Sequence, residues 1–168
     1  MQRGGLYPSV RKEGCRELKC GAVYAPTHEV ERRRFFQRIR PKVPDLDVFA
    51  GDVNCVEDPA DKSGTWRPTP SVRELAALLD DAGLVDSLPA GSTHTWTGHN
   101  CSARIDRVYG REDSDIVVST QSLSSSYGLS DHRGLLVEIT GADVYGGKGG
   151  FWRAQESSLD SRALTGRL

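Results

Sequence analysis

Three features that would narrow the function of a 168-residue chain at once are missing from this one. There is no long apolar run: nothing approaches the roughly 20 residues that cross a bilayer. The start, Met1-Gln2-Arg3-Gly4-Gly5, has no apolar core of a secretory leader. No membrane role is expected, and the setting reads as nuclear or cytoplasmic. There is no excess of one charge either, since 22 basic residues face 23 acidic ones for a net charge of −1. Attraction to a polyanion must then come from local arginines or a bound cation. Finally, Cys15, Cys20, Cys55 and Cys101 form no Cys-x-x-Cys pair. In a reducing compartment they read as free thiols, and the run His94 to Cys101 fits no common zinc module. What remains is an ordinary composition, 37% hydrophobic and 27% charged, long enough for one domain with a core. No internal repeat is present.

The most informative stretch is Asp47-Val48-Phe49-Ala50-Gly51-Asp52-Val53-Asn54. A short apolar run with β-branched and aromatic residues predicts a buried strand. Asp52 and Asn54, two positions apart, then leave its end on the same side. A carboxylate beside a carboxamide suits metal-assisted phosphoester chemistry: the first orients or deprotonates water, and the second donates an N–H to a phosphate oxygen. The same residues could simply close an Asx turn at the strand end.

Along the chain, residues 1–20 are polar and glycine-rich and read as irregular. Gly21-Ala22-Val23-Tyr24 predicts a strand stopped by Ala25-Pro26. A helix is expected over Glu29 to Arg40, with Val30, Phe35, Phe36 and Ile39 as its buried stripe and Glu31-Arg32-Arg33-Arg34 as a solvated face or a track for a phosphate backbone. Ser71-x-x-Glu74 has the form of a capping box. Leu75, Leu78, Leu79 and Ala82 follow at helical spacing, and Gly83 stands where that helix stops. Strands are expected at Thr93–Thr97, Ile105–Tyr109, Ile116–Ser119 and Leu135–Ile139. Strands outnumber helices without strict β-α-β order, which predicts a mixed, largely antiparallel α+β layered fold. From Gly141 the composition turns to Gly, Ser and Arg, as in a linker or tail.

Two more polar clusters lie beside late strands, Arg104-Ile105-Asp106 and Ser130-Asp131-His132. A histidine held in one tautomer needs a carboxylate on its other ring nitrogen. Asp106 is the candidate holder of His132, leaving Asp131 near a metal or a water. Each cluster alone reads as a surface salt bridge or a strand-entry turn.

In sequence order, Tyr24-Ala25-Pro26, Gly51-Asp52-Val53-Asn54, Thr95-Trp96, Arg104-Ile105-Asp106 and Ser130-Asp131-His132 resemble the closing motifs of the DNase I-like exonuclease–endonuclease–phosphatase superfamily. Within it, Glu31-Arg32-Arg33-Arg34-Phe35-Phe36, Gly51-Asp52-Val53-Asn54-Cys55-Val56, Asp61-Lys62-Ser63-Gly64 and Gly83-Leu84-Val85-Asp86 look most like the endonuclease domains of LINE-type retrotransposons. Gly149-Gly150-Phe151-Trp152-Arg153, with Ser158-Leu159, resembles the passage that leads on to a reverse transcriptase in such elements.

The resemblance implies a four-layer α/β/β/α sandwich with its N-terminal part missing, residues 21–140 being the C-terminal portion of the domain and 141–168 a linker or tail. It implies Mg²⁺-dependent hydrolysis of DNA phosphodiester bonds, Mn²⁺ being the alternative cation. Asp52 would activate water, Asn54 and Tyr24 would hold the phosphate, and His132, oriented by Asp106, would stabilise its charge. Asp131 would hold the metal, and Thr27, Arg104 and Trp96 would line the substrate site. DNA is the expected partner, with a reverse transcriptase following in the intact element and no obligate protein partner. Val53 departs from the family's aromatic and Thr27 from its common asparagine. Neither Glu13 nor Glu17 has the context of the family's metal-binding glutamate, so activity could be lost. A phosphatase of the same superfamily and a catalytically dead remnant are the alternatives.

Overall fold

The computed structural model describes residues 18–88, 91–123 and 130–141. Apart from residues 18–20 and 141, the expected irregular start and the tail with Phe151-Trp152 lie outside these.

Strand β1, Cys20–Tyr24, leads into helix α1, Glu29–Ile39, which a 3₁₀ segment extends to Asp45. Strand β2, Val48–Asp52, and helix α2, Pro70–Ala82, follow. Then come β3, Leu84–Asp86; β4, Trp96–Thr97; β5, Ser102–Ala103; β6, Asp106–Arg111; β7, Ile116–Ser122; and β8, Leu135–Gly141. The main sheet runs β1-β2-β6-β3, in which only β1 and β2 are parallel. β4 pairs with β5 and β7 with β8, both antiparallel. This is the mixed, largely antiparallel α+β fold expected.

Side-chain alternation along the central strands explains the layering. Phe49 and Tyr109 turn one way and pack with Phe35 and Phe36 of α1 and Leu75, Leu78 and Leu79 of α2. Val48, Ala50 and Val108 turn the other way, onto Ile116, Val118, Leu135, Val137 and Ile139 of the β7–β8 hairpin. Helices, sheet and second sheet thus make three successive layers, and the described residues contain no second helical layer. Each fully buried side chain such as Phe36 or Leu75 stabilises this arrangement by about 1.5–3 kcal/mol.

The helices differ from expectation in instructive ways. Val30 is 59% exposed, while Arg32 of the supposed solvated run is buried. The capping box does not form. Thr69 is the N-cap, Pro70 the first helical residue, and the Ser71 hydroxyl donates to Glu29 Oε2 at 2.7 Å. Glu74 instead takes Arg33 and Gln37. Gly83 ends α2 in the left-handed conformation, as the sequence predicts. Regular pairing in the expected Thr93–Thr97 strand is confined to Trp96–Thr97.

Arg104 also departs from its expected place at the substrate. It is 1% exposed; its Nε and Nη2 donate to Asp61 at 2.8 and 2.9 Å, and its Nη1 donates to Asp86 at 2.8 Å. Arg107 joins the same two carboxylates. Every nitrogen of Arg104 is committed to a carboxylate, so none is left for a phosphate. Burial acts to raise the Asp61 carboxyl, but its bonds from Arg104 and Gly91 and the Arg107 charge outweigh that and hold it below the usual range.

Gly51 lies opposite Val23 in the parallel pairing of β1 with β2. Its φ is +135°, and a Cβ there would lie 2.0 Å from the Val23 carbonyl oxygen.

Gly51→Ala is therefore expected to cost about 3 kcal/mol or more in urea denaturation, from a clash and a forbidden φ together. Asp61→Asn, which leaves two buried guanidinium groups short of a charge partner, should cost about 3–5 kcal/mol at neutral pH. With its carboxyl lowered in the fold, the Asp61 contribution is present above the ordinary carboxylate range and lost as pH falls through the folded pKa. The Asn variant should therefore lose stability less steeply on acidification than the parent.

Candidate active site

The end of β2 and the start of β6 face each other in register, Asp52 opposite Asp106, with Tyr24 at the end of β1 opposite Asp52. Asp52 continues the Val48 and Ala50 row, and Asp106 precedes Val108 by two. Alternation therefore directs both carboxylates toward the hairpin layer. His132 reaches them from the segment that enters β8. Carboxylate oxygens of Asp52 and Asp106 and a ring nitrogen of His132 all lie within 4.8 Å of one another.

Each of the three is held by neighbours. Asp106 Oδ2 lies 2.8 Å from His132 Nδ1, the pairing expected from the sequence, so Nε2 is the nitrogen turned to a ligand. Buried Thr95 accepts from the backbone N–H groups of Ile105 and Asp106 through its hydroxyl. Its carbonyl accepts from Arg133, so one residue fastens both sides of the Asp106–His132 pair. Thr95 opens the Thr95-Trp96 motif, but only the fold brings its hydroxyl to the Ile105 and Asp106 backbone.

Asn54 sits at φ 51°, a left-handed conformation that asparagine tolerates. Its backbone N–H donates to Asp52 Oδ1 at 2.8 Å, closing an Asx turn. Its Nδ2 donates to the Ala25 carbonyl at 2.8 Å and to Asp52 Oδ2 at 3.0 Å. Both neighbours are acceptors, which dictates the orientation of the amide. The two N–H bonds are thus consumed within the protein, contrary to the expected donation to phosphate, and Oδ1 is the atom left to meet a ligand.

Burial raises the Asp52 carboxyl above its usual range; the Asn54 backbone N–H works against this, and the nearby Asp106 charge adds to it. For His132, burial pulls the imidazole down. The hydrogen bond to Asp106 and the charges of Asp106, Asp52 and Asp131 outweigh it, so the ring holds its proton above the usual histidine range.

Asp131 stands apart from this group. Its exposed carboxylate accepts the Trp96 indole N–H at 2.8 Å, the largest cause of its lowered pKa, and its carbonyl accepts from Thr97 N. Trp96 in turn bridges His132. Tyr24 is 47% exposed at its strand end. Thr27 is exposed, and its carbonyl accepts from Arg32 at 2.6 Å. Arg32, read from sequence as part of a solvated face or a phosphate track, turns inward instead and holds the Thr27 backbone.

No protein-family model matches the chain. It is 27% identical over 173 aligned residues to the transposon TX1 uncharacterized 149 kDa protein of Xenopus laevis, a match covering 95% of this chain and 13% of that protein. The solved endonuclease domain of TRAS1, a telomere-specific non-LTR retrotransposon, superposes with a TM-score of 0.55 at 18% identity, covering 80% of this chain and 65% of that domain. The chain thus spans a small part of the transposon protein and less than two thirds of the solved domain. With its layered sheets and its ordered motifs, it has the DNase I-like fold and the likeness to LINE-type retrotransposon endonucleases that its sequence carries.

Proposed function

We propose that the chain is the C-terminal portion of a metal-dependent endonuclease domain of a LINE-like retroelement, hydrolysing DNA phosphodiester bonds. The observation that carries this reading is the convergence of Asp52, Asp106 and His132 within 4.8 Å, on a fold like that of a retrotransposon endonuclease.

The chemistry follows from the protonation states. Asp52, raised by burial, is a better proton acceptor than a surface carboxylate and takes the proton of an attacking water. The free Oδ1 of Asn54 accepts the second hydrogen of that water and so orients it. His132, protonated and fixed by Asp106 through Nδ1, offers its Nε2–H to the phosphate oxygen where charge develops. Tyr24, exposed and in register with Asp52, offers a hydroxyl to the same phosphate. Trp96, Asp131 and Thr27 would then meet the flanking nucleotides.

Two close carboxylates repel a phosphate, so a cation is required. Asp52 and Asp106 are hard oxygen donors suited to magnesium, with manganese as the alternative. A bound cation would neutralise phosphate charge and lower the pKa of a coordinated water. Asp131 would act from the rim, through Trp96. In the intact element a reverse transcriptase would follow on the same chain.

A dead remnant is the second reading, favoured by one observation: among the described residues, the ligand group contains no glutamate. Nicking of supercoiled plasmid by the purified chain decides between them. Activity that needs magnesium, is abolished by EDTA, and falls at least about a hundredfold in Asp52→Ala and His132→Ala is the expected result. A folded chain that leaves plasmid intact would be a remnant. Turnover of an inositol phosphate with DNA untouched would instead make it a phosphatase.

A further inference from the structure

Arg32 is buried in the first half of α1, and all of its guanidinium nitrogens are spent. Nη1 donates to the Pro26 carbonyl at 3.1 Å and the Thr27 carbonyl at 2.6 Å. Nε donates to Ser71 Oγ at 3.0 Å and Nη2 to Glu29 Oε2 at 2.6 Å. Glu29 closes the arrangement by accepting the Ser71 backbone N–H at 2.7 Å, so a side chain of α1 satisfies an orphan donor in the first turn of α2. The charge is thus buried and committed to the protein rather than turned to solvent or a polyanion.

Its target is the turn between β1 and α1. Pro26 and Thr27 directly follow Ala25, which is fully buried, whose N–H donates to the Asp52 carbonyl at 2.8 Å and whose carbonyl accepts from Asn54 Nδ2. The fork of Arg32 thus lies one residue from the carbonyl that sets the orientation of the Asn54 carboxamide. We infer that Arg32 is a positioning residue: by clamping the Pro26 and Thr27 carbonyls to α1 and α2, it holds Ala25 against Asn54 and so keeps Oδ1 turned to the water. A lysine cannot replace it, because a single ammonium cannot span two carbonyls, a hydroxyl and a carboxylate in one plane. The consequence for Asn54 stands on geometry alone; its consequence for rate rests on the nuclease reading above.

The test reads Asn54 directly. In the intact chain, labelled with ¹⁵N, the Asn54 carboxamide protons should exchange slowly because both are hydrogen-bonded. In Arg32→Lys and Arg32→Met they should exchange about tenfold faster or more. Arg40→Gln, which removes another tie between the helices, that of Arg40 Nε to Asp81 at 2.6 Å, is the control and should leave them unchanged. Folded Arg32 variants with Asn54 protection intact would overturn the inference, as would an equal loss in the control. Should neither Arg32 variant fold, native-state exchange on the parent serves instead. Arg32 Nε–H and Asn54 Nδ2–H₂ should then lose protection together as urea is raised, and separate openings would overturn the inference. If the chain nicks DNA, Arg32→Lys should lower kcat about tenfold with KM changed less than about twofold. A chain inactive on DNA leaves the exchange result standing, so the two failures are distinct.

Discussion

The geometry of the site depends on one register across three strands. Tyr24, Asp52 and Asp106 lie in a single row because β1 pairs with β2 in parallel and β2 with β6 antiparallel at the positions where all three strands meet the same edge. A slip of one residue between β2 and β6 would turn a carboxylate to the opposite face, and one between β1 and β2 the Tyr24 ring. The core prevents that slip, since Phe49 and Tyr109, opposite each other and stacked with centroids 5.9 Å apart, must both face the helices. Val48, Ala50 and Val108 must face the hairpin. Asp52 and Asp106 are therefore neighbours as a consequence of apolar packing two to four residues away.

Two buried arginine clusters then fasten the connections that leave this row. On one side Asp61, in the loop after β2, takes both Arg104 and Arg107, which flank Asp106 in sequence. The Asp61 carbonyl also accepts the Arg104 N–H, and Lys62 bridges Ala103. On the other side Arg32 and Glu29 fasten the turn after β1. Burying such charges costs desolvation, and their attraction roughly offsets it, so neither cluster need add much net stability. What each adds is a single allowed position for a loop, since removing any one member strands a charge in the interior.

This division explains what could be read from the sequence. α2 and the strand Val48–Asp52 rest on local signals, the helical spacing of leucines and a short apolar run. The Asp106–His132 pairing, across 26 residues, is instead legible through chemistry, an imidazole that needs a carboxylate on its other nitrogen. β3 and β5, three and two residues long, are too short to carry a period. Arg32 departs from expectation because a run of charged residues is ordinarily solvated, and Arg104 because the resemblance puts it at the substrate; their partners Ser71 and Asp61 lie 39 and 43 residues away. Ser71-x-x-Glu74 has the form of a capping box, yet tertiary contacts claim both ends of it. The Asn54 donors went the same way, since Ala25 lies 29 residues upstream.

The Asx turn and the candidate site, opposed as alternatives at the level of sequence, share the same residues in the structure. The bond from Asn54 N to Asp52 Oδ1 both ends β2 and stabilises the ionised carboxylate. Burial beneath the hairpin and the charge of Asp106 push the other way, and the balance leaves Asp52 raised. A residue that only closed a turn would gain nothing from facing a second carboxylate and an imidazole. A residue that only accepted protons would gain nothing from a left-handed asparagine two positions on. The turn limits how far burial can raise Asp52, and the cost of a left-handed Asn54 is borne because its three hydrogen bonds set both the basicity of that carboxylate and the direction of the one amide oxygen beside it.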